Sequence, residues 1–107
     1  MKGIRVYPNA DGWLDQHAIA QPGAYGRVDI AKVKAALDAD GRTTDGDRPW
    51  MHWELTAPDG RGGRLDPKVH TVVEHEDGTI TVTPSIDLSQ RVPGAYHGHL
   101  TRGEWKP

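Results

Sequence analysis

The sequence of 107 residues contains no cysteine and no phenylalanine. Without cysteine the chain has no disulfide, no thiolate ligand for a metal and no cysteine nucleophile. No apolar run approaches the roughly 18 residues that span a bilayer, and the first residues lack the apolar segment of a signal peptide. We therefore expect a cytoplasmic protein with no membrane contact.

Large aliphatic residues are also scarce. Ile, Val and Leu together number 19, below the fraction of about one-fifth that accompanies disorder in highly charged chains. The charge is nearly balanced, however, because 15 acidic and 13 basic residues leave a net charge of −2. Four Trp and three Tyr supply the large core anchors that disordered chains lack. These features predict one small globular domain, and the missing basic excess disfavours a general nucleic-acid binder.

We divide this single domain, residues 1–107, into two parts. Residues 1–26 are rich in turn-forming residues and predict an irregular arm or an edge strand. Residues 27–107 begin with the one predicted helix, at about 29–38, which Asp29 can cap. Its apolar residues recur at helical spacing and form one stripe: Ile30, Val33 and Leu37.

The later residues alternate with the period of β-strands. Asp77-Gly78 lies between two β-branched runs and is the pair that a two-residue type I′ turn favours, because both turn residues need positive φ. This predicts a hairpin in which Val73 faces Val82 and His75 shares their face. A second hairpin is predicted around residues 101–103. The predicted fold class is α+β, a mainly antiparallel sheet of about five strands with one helix packed on it.

Two segments, 70–86 and 96–105, resemble small uncharacterised proteins of actinobacterial phages and prophages. More distantly they are similar to a phage-associated domain family of unknown function, whose members have a Pro-Ser-Ile step, here residues 84–86, before a His-containing strand. The resemblance covers about residues 50–106. It implies a phage or prophage origin, and therefore the cytoplasm of a bacterial host cell, or a virion. It carries over no catalytic residue, and the cysteines of the distant members are missing here.

Six histidines raise the possibility of a metal site. His97 and His99 share one face of a predicted strand about 7 Å apart, which is compatible with ligating one metal. Further candidate ligands are the following: His52, His70, Glu54 and Asp87. Histidines on an exposed strand more often make ordinary hydrogen bonds, so we predict no bound metal and no other cofactor.

A glycine-rich segment carries Arg61 and Arg64, with Lys68 nearby. Backbone N–H groups and guanidinium donors of this kind can hold a phosphate or a nucleic-acid backbone. The segment lacks the Gly-Lys-Ser/Thr ending of a P-loop and opens no predicted helix. A flexible turn is the favoured interpretation.

Three aromatic residues lie near predicted loops or edges: Trp50, Tyr96 and Trp105. Such residues anchor protein interfaces, although small proteins also use them to close a thin core. The leading hypothesis is a non-enzymatic phage or prophage accessory protein that binds a host protein, an assembly partner or a second copy of itself. The alternatives are a small metal-dependent enzyme centred on His97 and His99, and a nucleic-acid module that uses the basic segment.

Overall fold

A computed structural model describes residues 1–39, 53–65, 68–87 and 93–107. These residues have an α+β fold with mostly antiparallel strands, which confirms the predicted class. The elements in chain order are β1 (Ile4–Val6), α1 (Gln16–Ile19), β2 (Ala24–Gly26), α2 (Ile30–Ala39), β3 (Trp53–Thr56), β4 (Gly62–Leu65), β5 (Thr71–Glu74), β6 (Ile80–Thr83), β7 (Ile86–Asp87), β8 (His97–Thr101) and β9 (Glu104–Lys106).

The prediction of about five strands in one sheet is wrong. The described residues form nine strands in three sheets, of four, two and three strands. Several of these strands are only two to four residues long. A strand of that length shows too little alternation to be recognised from its sequence.

The four-stranded sheet has the order β1-β2-β3-β4. Strands β1 and β2 are parallel, whereas the β2/β3 and β3/β4 pairs are antiparallel. Residues 1–26, expected as an arm or edge strand, therefore supply the outer strand β1, the inner strand β2 and the helix α1 between them. Asp15 caps α1, and its carboxylate accepts a hydrogen bond from the Ala18 backbone N–H at 2.9 Å.

The predicted helix over about 29–38 agrees with α2. The carboxylate of Asp29 accepts a hydrogen bond from the Lys32 backbone N–H at 3.3 Å, as expected of a cap. Val33 and Leu37 are buried, so the predicted apolar stripe faces the interior. With α1 and one face of the four-stranded sheet, this stripe forms a core cluster: Val6, Leu14, Ile19, Ala24, Val28, Val33 and Leu37.

A second cluster lies on the opposite face of the same sheet. Because side chains alternate along a strand, Ala24 joins the helical cluster while its neighbour Tyr25 joins the second one. The short strands after β4 cover this face. The buried members are Tyr25, Trp53, Leu55, Leu65, Ile80, Val82, Ile86, Leu100 and Trp105. The four-stranded sheet therefore separates the two core clusters.

The first hairpin, β5–β6, confirms the predicted strand pair and corrects its register. Val72 lies opposite Val82, and Val73 lies opposite Thr81. The expected pairing of Val73 with Val82 is wrong by one residue. Since such a slip turns every side chain of a strand to the other face, Val72 packs against the core while Val73 is 51% exposed.

The loop at the tip of this hairpin explains the one-residue shift in register. The His75 N–H donates to the Thr79 carbonyl at 2.8 Å, and the Gly78 N–H donates to the His75 carbonyl at 3.0 Å. Gly78 has φ 84°, whereas Asp77 does not have positive φ. The loop thus contains three residues with glycine in the left-handed position, rather than the two of a type I′ turn. The imidazole of His75 lies on the outer face, hydrogen-bonded to the Thr81 hydroxyl at 2.7 Å.

The second hairpin, β8–β9, is confirmed. Thr101 lies opposite Glu104, which leaves Arg102 and Gly103 as a two-residue turn. Their φ angles are 48° and 75°, so the type I′ turn predicted for the first hairpin occurs here instead. Leu100 points inward, and the two histidines of β8 point outward.

Residues 1–3 run beside the second hairpin. The Met1 ammonium donates to the Trp105 carbonyl at 2.9 Å, and the Trp105 N–H donates to the Met1 carbonyl at 2.8 Å. The Gly3 N–H donates to the Gly103 carbonyl at 2.7 Å. These bonds fasten β1 to the C-terminal strands. Neither described helix is long and apolar enough to cross a membrane.

Candidate functional site

Of the three residues predicted as interface anchors, the structure describes Tyr96 and Trp105. Trp105 is 1% exposed and belongs to the core, where its indole N–H donates to the Gly23 carbonyl at 2.9 Å. Tyr96 is half-buried and packs edge-on against Trp105, with ring centroids 5.6 Å apart. Burial raises the pKa of its hydroxyl. Trp50 lies outside the described residues. Trp105 thus offers no side-chain surface to a partner.

His97 and His99 lie on the exposed face of β8, as their spacing predicts. The opposite residue on β7 is Asp87 for His97, and the opposite residue on β9 is Lys106 for His99. An ammonium group beside His99 disfavours a metal cation there. Across the described ranges no three His, Asp or Glu side chains are placed to hold a metal ion. His52 lies outside those ranges.

His97 instead contacts Ser85, which also contacts His70. The Ser85 hydroxyl lies 3.2 Å from His97 Nε2, and the Ser85 carbonyl lies 3.3 Å from His70 Nε2. A serine becomes a nucleophile when its histidine is held in one orientation and the site excludes water. His97 is exposed to solvent. We interpret the cluster as hydrogen bonds that hold the residue after Pro84 against β8.

The basic segment includes β4, a strand at the edge of the four-stranded sheet. Arg64 lies on β4, opposite Glu54, and its side chain is exposed. Arg61 precedes β4 and lies 3.7 Å from the Asp59 carboxylate. Lys68 is exposed beyond the strand. The acidic neighbours of both arginines weaken the attraction of this segment for phosphate.

A different set of side chains forms a continuous layer at one end of the four-stranded sheet. We define the cation–aromatic stack as Tyr7, Arg5, Trp53 and Arg27, named so that each residue contacts the next. The guanidinium carbon of Arg5 lies 4.4 Å from the Tyr7 ring centroid and 4.9 Å from that of Trp53. The guanidinium carbon of Arg27 lies 5.7 Å from the Trp53 centroid. Each contact is within the range of cation–π attraction.

Strand register places these four residues together. Val6 lies opposite Gly26, and Gly26 lies opposite Glu54. Because β3 runs against β1 and β2, the next residues outward are Tyr7, Arg27 and Trp53, which meet at one end of three neighbouring strands. Arg5 joins them because residues two apart on a strand share a face. The stack therefore depends on the parallel pairing of β1 with β2.

Arg5 is held in place by the first hairpin. Its Nη1 donates to Glu74 Oε2 at 2.7 Å and to the Gly78 carbonyl at 2.7 Å, and its side chain is only 14% exposed. The Tyr7 hydroxyl lies directly against Gly78. Hydrogen bonds to a charged group are stronger than neutral ones. Arg5 thus joins the stack rigidly to the hairpin tip.

The outer members of the stack are open to solvent. Tyr7 is 60% exposed. Arg27 is exposed as well, and no carboxylate of the described residues forms an ion pair with it. The charge of Arg5 is neutralised by its ion pair with Glu74. The charge of Arg27 remains available to a partner.

The hairpin tip beside the stack is acidic. We define the acidic tip as Glu76 and Asp77, both exposed. Thr79 donates two hydrogen bonds to Asp77 Oδ1, from its hydroxyl at 2.6 Å and its backbone N–H at 3.0 Å. These bonds lower the pKa of the Asp77 carboxyl. Glu76 forms no ion pair with the described residues. The tip therefore carries negative charge next to the positive stack.

Sequence reasoning missed the stack. Trp53 is 7% exposed, which hides most of its ring, and residues 1–26 gave no sign of which strand they join. The available signal was the spacing of Arg5 and Tyr7, which places a cation and an aromatic ring on one strand face.

Comparison with known proteins does not add a function. No family model, curated protein or solved structure matches the chain. No relative therefore assigns an activity to the stack, the acidic tip or the histidines.

Proposed function

We propose that the protein acts by binding another protein through the cation–aromatic stack, without catalysis. The observation that carries this proposal is an exposed Tyr7 ring held against a fixed arginine, beside Arg27, which forms no ion pair with a described residue. Tyr, Trp and Arg dominate the binding energy of protein interfaces. Because Arg5 is already held by Glu74, its contribution to binding loses little side-chain entropy.

The resemblance to phage and prophage proteins extends this proposal. It supports an accessory role in which the partner is a host factor, as in evasion of a host defence, or another component of phage assembly. The same proposal places the protein in the cytoplasm of the bacterial host. The sequence predicted Trp50, Tyr96 and Trp105 as the interface residues. In the present proposal the interface instead consists of side chains of the same chemical classes on the four-stranded sheet.

Photo-crosslinking in bacterial cells tests the proposal. A photoreactive phenylalanine analogue at position 7 is expected to give a covalent adduct with another protein, and Arg27→Ala is expected to reduce that adduct. The matched control places the same group at Lys34, an exposed residue of α2. Equal adduct formation from positions 7 and 34, or no effect of Arg27→Ala, contradicts the proposal. Thermal unfolding of each variant verifies that it is folded.

A further inference from the structure

We infer that the cation–aromatic stack docks a second copy of this chain in a two-fold symmetric dimer. In each half of the dimer the acidic tip of one copy contacts Arg27 of the other. The inference rests on the proposed function, because it uses the same surface and specifies what occupies it.

The acidic tip and the stack form one surface. Arg5 hydrogen-bonds to the Gly78 carbonyl within the tip loop, and Tyr7 packs on the same glycine. Strand register places Arg27 beside Tyr7, on the neighbouring strand of the sheet. Tyr7 thus contacts the negatively charged tip loop through its hydroxyl and has the positively charged Arg27 as its neighbour along the sheet.

A surface that carries both charges around one central residue is complementary to its own rotated copy. A two-fold axis brings the same patch of both subunits together, so that each residue pair occurs twice. If the axis passes near Tyr7, Glu76 of one copy approaches Arg27 of the other, and the reverse pair forms on the far side. Each charge lacks an ion-pair partner among the described residues of its own chain, so pairing between copies satisfies both.

The exposed Tyr7 ring supplies apolar area at the centre of this arrangement. Two Tyr7 rings meet near the axis, where each is backed by a rigid arginine. Central aromatic anchors surrounded by charged pairs are typical of protein interfaces. A specific dimer of this type buries about 1,000 Å² or more in total.

The test measures molecular mass by sedimentation equilibrium over a micromolar to millimolar concentration series. The mass of the wild-type protein is expected to rise from 11.8 kDa toward twice that value. Arg27→Glu and Glu76→Arg are each expected to weaken association at least about tenfold, because each places like charges together. The double variant restores the pair with reversed sign, so we expect it to associate nearly as well as the wild type.

The control is Lys34→Glu on α2, which makes the same change of charge away from the stack. A wild-type mass of one chain at every concentration overturns the inference. It is also overturned if Arg27→Glu weakens association no more than Lys34→Glu does, or if the double variant fails to recover. If the protein does not associate with itself, the proposed function can still be tested by photo-crosslinking. An adduct from position 7 to a different protein then identifies a heterologous partner.

Discussion

The two hairpins have turns that are the reverse of what their sequences favour. Asp77-Gly78, the preferred pair for a type I′ turn, lies in a three-residue loop of the first hairpin. Arg102-Gly103 forms a type I′ turn in the second, although arginine has no preference for positive φ. In these hairpins the identity of the turn residues therefore has less influence on the type of turn than two other factors. These are the burial of the strand side chains and the contacts at the tip.

The hairpins also differ in how deeply they are buried. The second hairpin places Leu100 and Trp105 in the core, both 1% exposed or less. In the first, only β6 is deeply buried, whereas β5 contributes the half-buried Val72. We therefore expect the second hairpin to contribute more of the stability, whereas the first contributes the acidic tip of the proposed binding surface.

The largest expected effect tests this difference in burial. Leu100→Ala is expected to lower the free energy of unfolding by about 2–5 kcal/mol, because it leaves a cavity in the core. The matched change in β5, Val72→Ala, is expected to cost about 1 kcal/mol, because Val72 is only half-buried. Urea unfolding measures both. Similar losses for the two variants contradict the proposed division of stability.

The next prediction concerns the contact between the first tip and Tyr7. Gly78 and Gly60 both have positive φ, 84° and 88°, so alanine strains the backbone at either position. A Cβ on Gly78 also collides with the Tyr7 hydroxyl, whereas one on Gly60 meets nothing. We expect Gly78→Ala to cost about 2 kcal/mol and Gly60→Ala about 1 kcal/mol.

Removal of the hydroxyl isolates this collision. In a Tyr7→Phe background the cost of Gly78→Ala is expected to fall to that of Gly60→Ala, as measured by thermal unfolding. An unchanged cost in this background is evidence that Tyr7 does not pack on the tip.

A smaller effect distinguishes the two registers of the first hairpin. Val72→Thr is expected to cost about 1 kcal/mol, because it places a hydroxyl against the core. Val73→Thr is expected to change the free energy of unfolding by less than about 0.5 kcal/mol, since Val73 faces solvent. The reverse order in chemical denaturation supports the register in which Val73 faces Val82.

The smallest effect is a gain in stability at the second turn. Arg102→Asn is expected to raise the free energy of unfolding by up to about 1 kcal/mol, because asparagine tolerates positive φ better than arginine. Asp77→Asn is the control, since position 77 does not have positive φ and no comparable gain is expected. A larger gain at 77 than at 102, measured by thermal unfolding, contradicts the assignment of the two turns.

The sequence predicted the features that depend on neighbouring residues. The helix α2 and both hairpins are local, and the alternation in β8 placed His97 and His99 correctly on an exposed face. The parallel pairing of β1 with β2 joins residues about 20 apart through strands of three residues. Nothing in strands so short specifies a partner, so the division into three sheets was not predictable.

The same limit applies to the site. The stack needs Arg5, Arg27 and Trp53 from three strands, and their meeting depends on the register of all three. The sequence indicated that aromatic residues and arginines were available for binding. It left open whether Trp105 anchors an interface or closes the core, because the charged neighbours Glu104 and Lys106 show which face of β9 is apolar but not what covers that face.

The hydrogen bonds between Met1 and Trp105 have a consequence for synthesis on the ribosome. Their sequence separation is 104 residues, so β1 leaves the ribosome well before the strand that closes its flank is synthesised. Closing so long a loop costs entropy before any contact compensates it, and such high contact order slows folding. While translation continues, the exposed side of β1 is open to other strands. The flank of β1 can therefore close only after β9 has left the ribosome.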